Sequence, residues 1–127
     1  IPPADTRFPP RDTIEAALNL VTEFRLDEGA QVLAEAAGIS RDTALRIFAD
    51  REGEPMAVIL KALGYPRGQL SEAMLKLGSG ENAIIRPGRV IEELQNVFDS
   101  LSFNKARILL TYWDWYVRKS GPYAPRN

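Results

Sequence analysis

An all-α fold follows from three observations. Nearly every segment places apolar residues three and four positions apart, the period of an amphipathic helix. No segment shows the apolar–polar alternation of a half-buried strand. The periodic stretches are separated by short breaks carrying Gly, Pro or Ser. About seven helices are expected, arranged as stacked hairpins in a HEAT-like repeat or as an irregular bundle.

The elements can be justified in order. Residues 1–10, "IPPADTRFPP", are Pro-rich and read as an extended segment. Asp12 and Glu15 form a capping-box pattern, and Ile14, Ala17, Leu18, Val21 and Phe24 share one face behind it. A second helix is expected from Asp27 or Glu28, with Ala30, Leu33, Ala34 and Ala37 inward. Gly38 suits its stop, because glycine accepts positive φ without strain. Ser40 is the expected N-cap of a third helix that buries Ala44, Ile47 and Phe48. Pro55 fits the first turn of a fourth helix with Met56, Ile59, Leu60 and Leu63 inward. After the turn "GYPRG", a fifth helix faces Leu70, Ala73, Met74 and Leu77 to the core. Residues 78–88, "GSGENAIIRPG", form the longest irregular stretch and read as a flexible connection. A sixth helix presents Val90, Ile91, Leu94, Val97, Phe98 and Leu101. A seventh runs from Phe103 to about Lys119, and "SGPYAPRN" ends it. The expected domain therefore covers residues 11–119, with a tail at 120–127.

Composition narrows the function classes. The chain has 127 residues, 45% of them hydrophobic and 26% charged, which suits one soluble domain with a core of its own. It contains no cysteine and no histidine. Thiol nucleophiles, disulfides, Cys/His zinc sites and imidazole catalysis are thereby excluded. A cysteine-free chain fits a reducing compartment, and a cytoplasmic location is expected. No apolar run approaches the roughly 18 residues of a membrane span, and the first residues lack a signal-peptide layout. The chain begins at Ile1, which is expected of a fragment or a processed chain. Residues 1–54 hold 6 basic and 11 acidic side chains, giving −5; residues 55–127 hold 10 and 6, giving +4. The chain is thus an electric dipole able to orient a partner.

The stretch "LAEAAGISRDTALRIF", Leu33 to Phe48, resembles the helix-turn-helix of the lac repressor family at Ala34, Glu35, Ala36, Ala37, Gly38, Ile39, Ser40, Arg41, Thr43 and Arg46. The resemblance implies a DNA-binding regulator whose second helix offers Arg41, Thr43 and Arg46 to a groove. Two features oppose it. Asp42, Asp50 and Glu52 cancel Arg41, Arg46 and Arg51, and DNA affinity rests largely on neutralising phosphates. The pattern also occurs twice. "VLAEAAGISRDTALRIF" from Val32 aligns with "VILKALGYPRGQLSEAM" from Val58, an offset of 26. Val, Ala, Gly and Arg recur at 32/58, 36/62, 38/64 and 41/67, and Ile39 and Tyr65 share the plug position. A repeated helix–Gly turn–helix unit is a packing device, so a structural hairpin is the preferred reading. Gly38→Val and Gly64→Val should then do similar damage.

The stretch "RDTALRIFADREGEPMAVILKALGYPRGQLSEAMLKL", followed by "FDSLSFNKARILLTYWDW", resembles the C-terminal part of a bacterial family catalogued as domain of unknown function 2336. The matching residues are Ala37, Gly38 and Ile39; Gly53, Glu54, Pro55 and Ala57; Ala62 to Arg67; then Phe98, Asp99, Leu101, Ala106 and Trp113. The resemblance spans roughly residues 30–115. It implies a bacterial helical-repeat fold and supplies no catalytic residues.

The last helix carries the sharpest surface signal. Ala106, Leu110, Trp113 and Val117 make an inward stripe, while Ile108, Tyr112 and Trp115 make a second one nearly opposite. Arg107, Thr111, Asp114 and Arg118 fill a narrow polar side. A helix apolar on two faces is either central in the core or meets another protein. Ile108, Tyr112, Trp115 and Arg118 are therefore the expected protein-binding residues, for a partner or for self-association. An enzyme is not expected. Asp27–Glu28 and Glu92–Glu93 are adjacent and diverge around their helices. "GYPRG" and "GSGENA" lack the Lys-Ser/Thr of a phosphate loop. Arg86 and Arg89 of "RPGR" could bind a lone anion, though a solvated helix start is the preferred reading. No metal, cofactor, small-molecule substrate or membrane is expected. The sequence reading is a non-enzymatic interaction or scaffolding module with a regulatory role; the alternative is the DNA-binding regulator.

Overall fold

The computed structural model describes residues 8–120. Seven α-helices occur among them: α1 (Arg11–Thr22), α2 (Leu26–Ala37), α3 (Arg41–Ala49), α4 (Glu54–Ala62), α5 (Leu70–Leu77), α6 (Ile91–Ser100) and α7 (Phe103–Ser120). A single 3-10 turn, Arg67–Gln69, leads into α5, and the described residues contain no strand. Helices α1 and α2 pack as a hairpin, as do α2 and α3. Helix α4 lies at the centre against α3, α6 and α7, and α5 spans α1 and α6. Its position explains its composition: Met56, Ala57, Val58, Ile59, Leu60 and Ala62 are all buried, so α4 is apolar nearly all round. The inward residues of α5 and α3 are buried as the period requires.

The repeated turn is real in the backbone. Gly38 and Gly64 have φ of 72° and 74°. The next amide in each case reaches back to the equivalent carbonyl: Ile39 N–H to Ala34 O at 3.0 Å, Tyr65 N–H to Leu60 O at 2.9 Å. These are the hydrogen bonds of a helix stop with a left-handed residue. The turn occurs a third time after α1, where Arg25 N–H reaches Leu20 O at 2.9 Å. There the left-handed position holds Phe24, at φ 60°.

Several local expectations are corrected. Helix α1 starts at Arg11, with Pro10 in the cap position and no side-chain cap. The Pro10 carbonyl accepts Thr13 N–H at 3.0 Å, which draws the helix start ahead of Asp12. Glu15 does not reach back; it accepts the Tyr65 hydroxyl at 2.8 Å. Burial and that carboxylate together push the Tyr65 phenol above its ordinary pKa. Val90 does not face inward; it precedes the first turn of α6 and is exposed.

The segment 78–88 is anchored. Ile84 and Ile85 are buried, and both amides donate to Leu77 O, at 3.0 and 3.3 Å. Arg86 N–H donates to Arg51 O at 2.9 Å. The two arginines of "RPGR" are occupied by carboxylates, so the anion reading of that motif is also corrected. Arg86 forks onto Glu52. The Arg89 side chain is 6% exposed; it donates to Glu52 O at 2.7 Å and to Glu93 Oε1 at 3.0 Å. Arg67 similarly forks onto Asp99 at 3.1 and 3.2 Å, tying the 3-10 turn to α6.

Of the N-terminal segment, Phe8 to Pro10 are described and have no regular structure. Phe8 packs edge-on against Phe103, with ring centroids 4.9 Å apart. The remainder of that segment, and all of the 120–127 tail beyond Ser120, lie outside the described residues.

Candidate functional site

Helix α7 rests on the domain through Ala106, Leu110, Asp114 and Val117. Its opposite side faces solvent. Ile108 is 67% exposed, Tyr112 60%, Trp115 54% and Tyr116 55%. Positions 108, 112, 115 and 116 lie four, seven and eight residues apart, so the side chains form one row. The Tyr112 and Trp115 rings are tilted at 6.4 Å between centroids. Lys119 Nζ lies 4.8 Å above the Trp115 ring, a cation–π contact. Helix α7 is therefore not the central core helix; α4 has that place. Sequence reasoning had three members of the row and missed Tyr116. Its spacing of four from Tyr112 was the available signal.

Along one edge of the row runs an apolar groove of about 320 Å³, lined by Arg46, Ile47, Pro55, Tyr112, Trp113 and Tyr116. Helix α3 and the start of α4 supply its far wall. Two residues expected to belong to rival functions are thus brought together: Arg46 and Tyr112. Arg118 lies on the flank of α7 and pairs with Asp114 at 3.4 Å.

Thr43 is corrected. It is 1% exposed and cannot meet a groove of DNA. Its hydroxyl donates to Asp114 Oδ1 at 2.8 Å, and the Ser40 amide donates to the same oxygen at 2.9 Å. Ser40 also caps α3 in the expected way, accepting Thr43 N–H at 3.2 Å. Asp114 is therefore not on a polar outer side; it is 8% exposed and faces the N-terminus of α3. Burial pushes its carboxyl up. The Ser40 and Thr43 hydrogen bonds, with Arg118, outweigh that and leave it below the usual carboxylate range. A carboxylate at that place also meets the positive end of the α3 dipole. Arg41 and Arg46 are exposed, but the Ser40 amide at the start of α3 is taken by Asp114 of α7.

Other concavities offer less chemistry. A polar pocket between α1 and α5 gathers Arg11, Glu15, Glu72 and Lys76, two cations against two anions, beneath the Tyr65–Glu15 hydrogen bond. A wider groove beside Phe98 and Phe103 is partly filled by Phe8. Among the described residues no three Asp or Glu side chains converge to hold a metal ion, and no helix is long and apolar enough to cross a membrane. No protein-family model, curated protein or solved structure matches the chain.

Proposed function

We propose that the chain is a non-enzymatic interaction module, a scaffolding or regulatory element of a bacterial cytoplasmic protein that docks a protein partner on the outer face of α7. One observation carries this: Ile108, Tyr112, Trp115 and Tyr116 form a contiguous row, each more than half exposed. Single exposed apolar residues such as Leu75 are ordinary. A row of one aliphatic and three aromatic residues beside a groove is the surface on which binding energy concentrates. The resemblance to domain of unknown function 2336 supports the bacterial setting and adds no chemistry. The DNA-reading alternative is less well supported, because Thr43 is buried.

The test is a photo-crosslinking amino acid placed at position 108 or 112 in cells, with position 75 as the exposed control. A discrete adduct from 108 and 112, absent from 75 and abolished by Trp115→Ala, is expected. The same adduct pattern at all three positions would overturn the proposal. Purified Trp115→Ala should keep its Tm within about 2 °C of the parent, as surface changes do. A large fall would assign Trp115 to the fold rather than to docking.

A further inference from the structure

We infer that the occupant of the α7 face is an acidic amphipathic helix, whose apolar side lies along the row and whose carboxylates meet the cations that bracket it. The inference rests on the docking reading above and adds the chemistry of the partner.

The bracket is a matter of register. Lys105, Ile108, Tyr112, Tyr116 and Lys119 follow one another at spacings of three and four, so one face of α7 runs cation, apolar, aromatic, aromatic, cation. Lys105 and Lys119 are both exposed and stand about 21 Å apart along the axis at 1.5 Å per residue. Arg107 and Arg118 flank the row, and Arg46 lines the groove beside it. The single acid of α7, Asp114, is turned inward onto Ser40 and Thr43. Among the described residues, none of Arg46, Lys105, Arg107 and Lys119 has a carboxylate oxygen within 4 Å. The surface is apolar along its middle and cationic at its ends; Arg118 is paired with Asp114, while Arg46, Lys105, Arg107 and Lys119 are left for a partner's carboxylates.

That pattern selects among occupants. A second copy laid antiparallel about Tyr112 sets Lys105 of one chain against Lys119 of the other. A parallel copy sets each lysine against itself. Both juxtapose like charges, whereas an acidic partner meets each lysine with its opposite. An anionic bilayer would match the charge, but it is a broad surface, whereas the row borders a concave apolar groove of about 320 Å³ between α3, α4 and α7. A side chain projecting from a helix can enter it. The described residues contain no strand, so no sheet edge is offered for strand addition. A helix of about four turns spans the two lysines, with an apolar side chain for the groove and Asp or Glu toward each end.

The probes are three labelled 18-residue peptides with one apolar stripe in common. The first carries Glu on its flanks, the second Lys, and the third Glu with the stripe scrambled. Each is titrated with the full chain and followed by fluorescence anisotropy at low and raised salt. The acidic amphipathic peptide is expected to bind, the basic and scrambled ones to fail. Lys105→Gln with Lys119→Gln should weaken binding about fivefold and flatten its salt dependence, since rim pairs contribute little singly. Lys105→Glu with Lys119→Glu should transfer the preference to the basic peptide. Equal binding of acidic and basic peptides, lost in Trp115→Ala, would overturn this inference and leave the docking reading standing. Binding of neither peptide overturns the inference, and the crosslinking test then decides the docking reading alone. Two further outcomes also overturn it. One is a dimer by light scattering that Trp115→Ala dissolves; the other is capture by phosphatidylserine-containing vesicles but not by the acidic peptide.

Discussion

Replacing Asp114 with alanine removes one oxygen that two donors share. The Ser40 amide at 2.9 Å and the Thr43 hydroxyl at 2.8 Å both point at Oδ1, in a site that is 8% exposed. A hydrogen bond to a charged acceptor contributes about 1.5–3 kcal/mol. The two here are not additive, because Thr43 keeps its contact with the Ser40 hydroxyl at 2.9 Å. The Ser40 amide has no such substitute and would be left without its acceptor. A loss of about 3 kcal/mol is expected for Asp114→Ala, or roughly 10 °C in Tm at this chain length. Asp114→Asn keeps an oxygen that accepts both bonds but loses the charge and, with it, the pair to Arg118. It should cost about 1 kcal/mol, the scale of a helix-terminus charge. The sign with pH follows from the lowered carboxyl pKa. A group depressed in the folded state contributes stability above its unfolded pKa, about 3.9, and loses it as pH falls through the folded value. The gap between the parent and Asp114→Asn should therefore be full at pH 7, begin to narrow near pH 4 and close below the depressed folded value. Urea unfolding of the three proteins at pH 7 and pH 3, followed by circular dichroism, measures it. An Asn variant as damaged as the Ala variant at pH 7, or a gap that widens on acidification, would refute the shared-acceptor account.

Three more outcomes follow from the geometry. At Gly38 an added Cβ meets nothing within 4 Å, so Gly38→Ala should lose only the left-handed strain, about 1 kcal/mol. At Gly64 a Cβ would lie 2.6 Å from the Phe8 ring, so Gly64→Ala should lose more, and a double-mutant cycle with Phe8→Ala should be strongly non-additive. Equal loss at both glycines, as the sequence alone suggests, would count against the Phe8 contact. Phe24→Gly should raise stability by about 0.5 kcal/mol: relief of left-handed strain is worth roughly 1–2 kcal/mol, and the greater freedom of unfolded glycine takes back 0.5–1 kcal/mol. Thermal melts that show a destabilised Phe24→Gly would mean the ring contributes packing after all. Arg89→Ala, which removes the hydrogen bonds of a largely buried side chain to Glu52 and Glu93, should cost about 2 kcal/mol and speed amide exchange at Ile84 and Ile85. Arg86→Ala, at an exposed pair, should do visibly less.

Most of the architecture was legible because burial and period coincide. Leu33 and Ala34, Ile47 and Phe48, Leu70 and Met74 are spaced for a helix and lie in the core. Gly38 and Ser40 announce a stop and a start through backbone chemistry local to themselves. What could not be read depends on partners far away in the chain. Asp114 looks like one more polar residue on an outer face until its hydrogen-bond donors appear 71 and 74 positions earlier. Thr43 looks like a reading residue for the same reason. Ile84 and Ile85 sit in a segment with no period, so nothing local tells a plug from a loop tip. The aromatic row was half legible. Its spacing shows in the sequence, but whether α7 or α4 is central depends on which helix the others surround.

The Asp114 contact also turns the start of α3 into a gauge of α7. The Ser40 amide is held by a side chain on the helix whose far face is bare, so its exchange with solvent requires α7 to lift or Asp114 to swing away. Where that exchange runs through lifting of α7, a ligand that steadies α7 from outside slows it by the factor it adds to the closed state. A single backbone proton on the opposite side of the helix would then report occupancy. It would do so without a label, and without the ligand touching the residue that carries it.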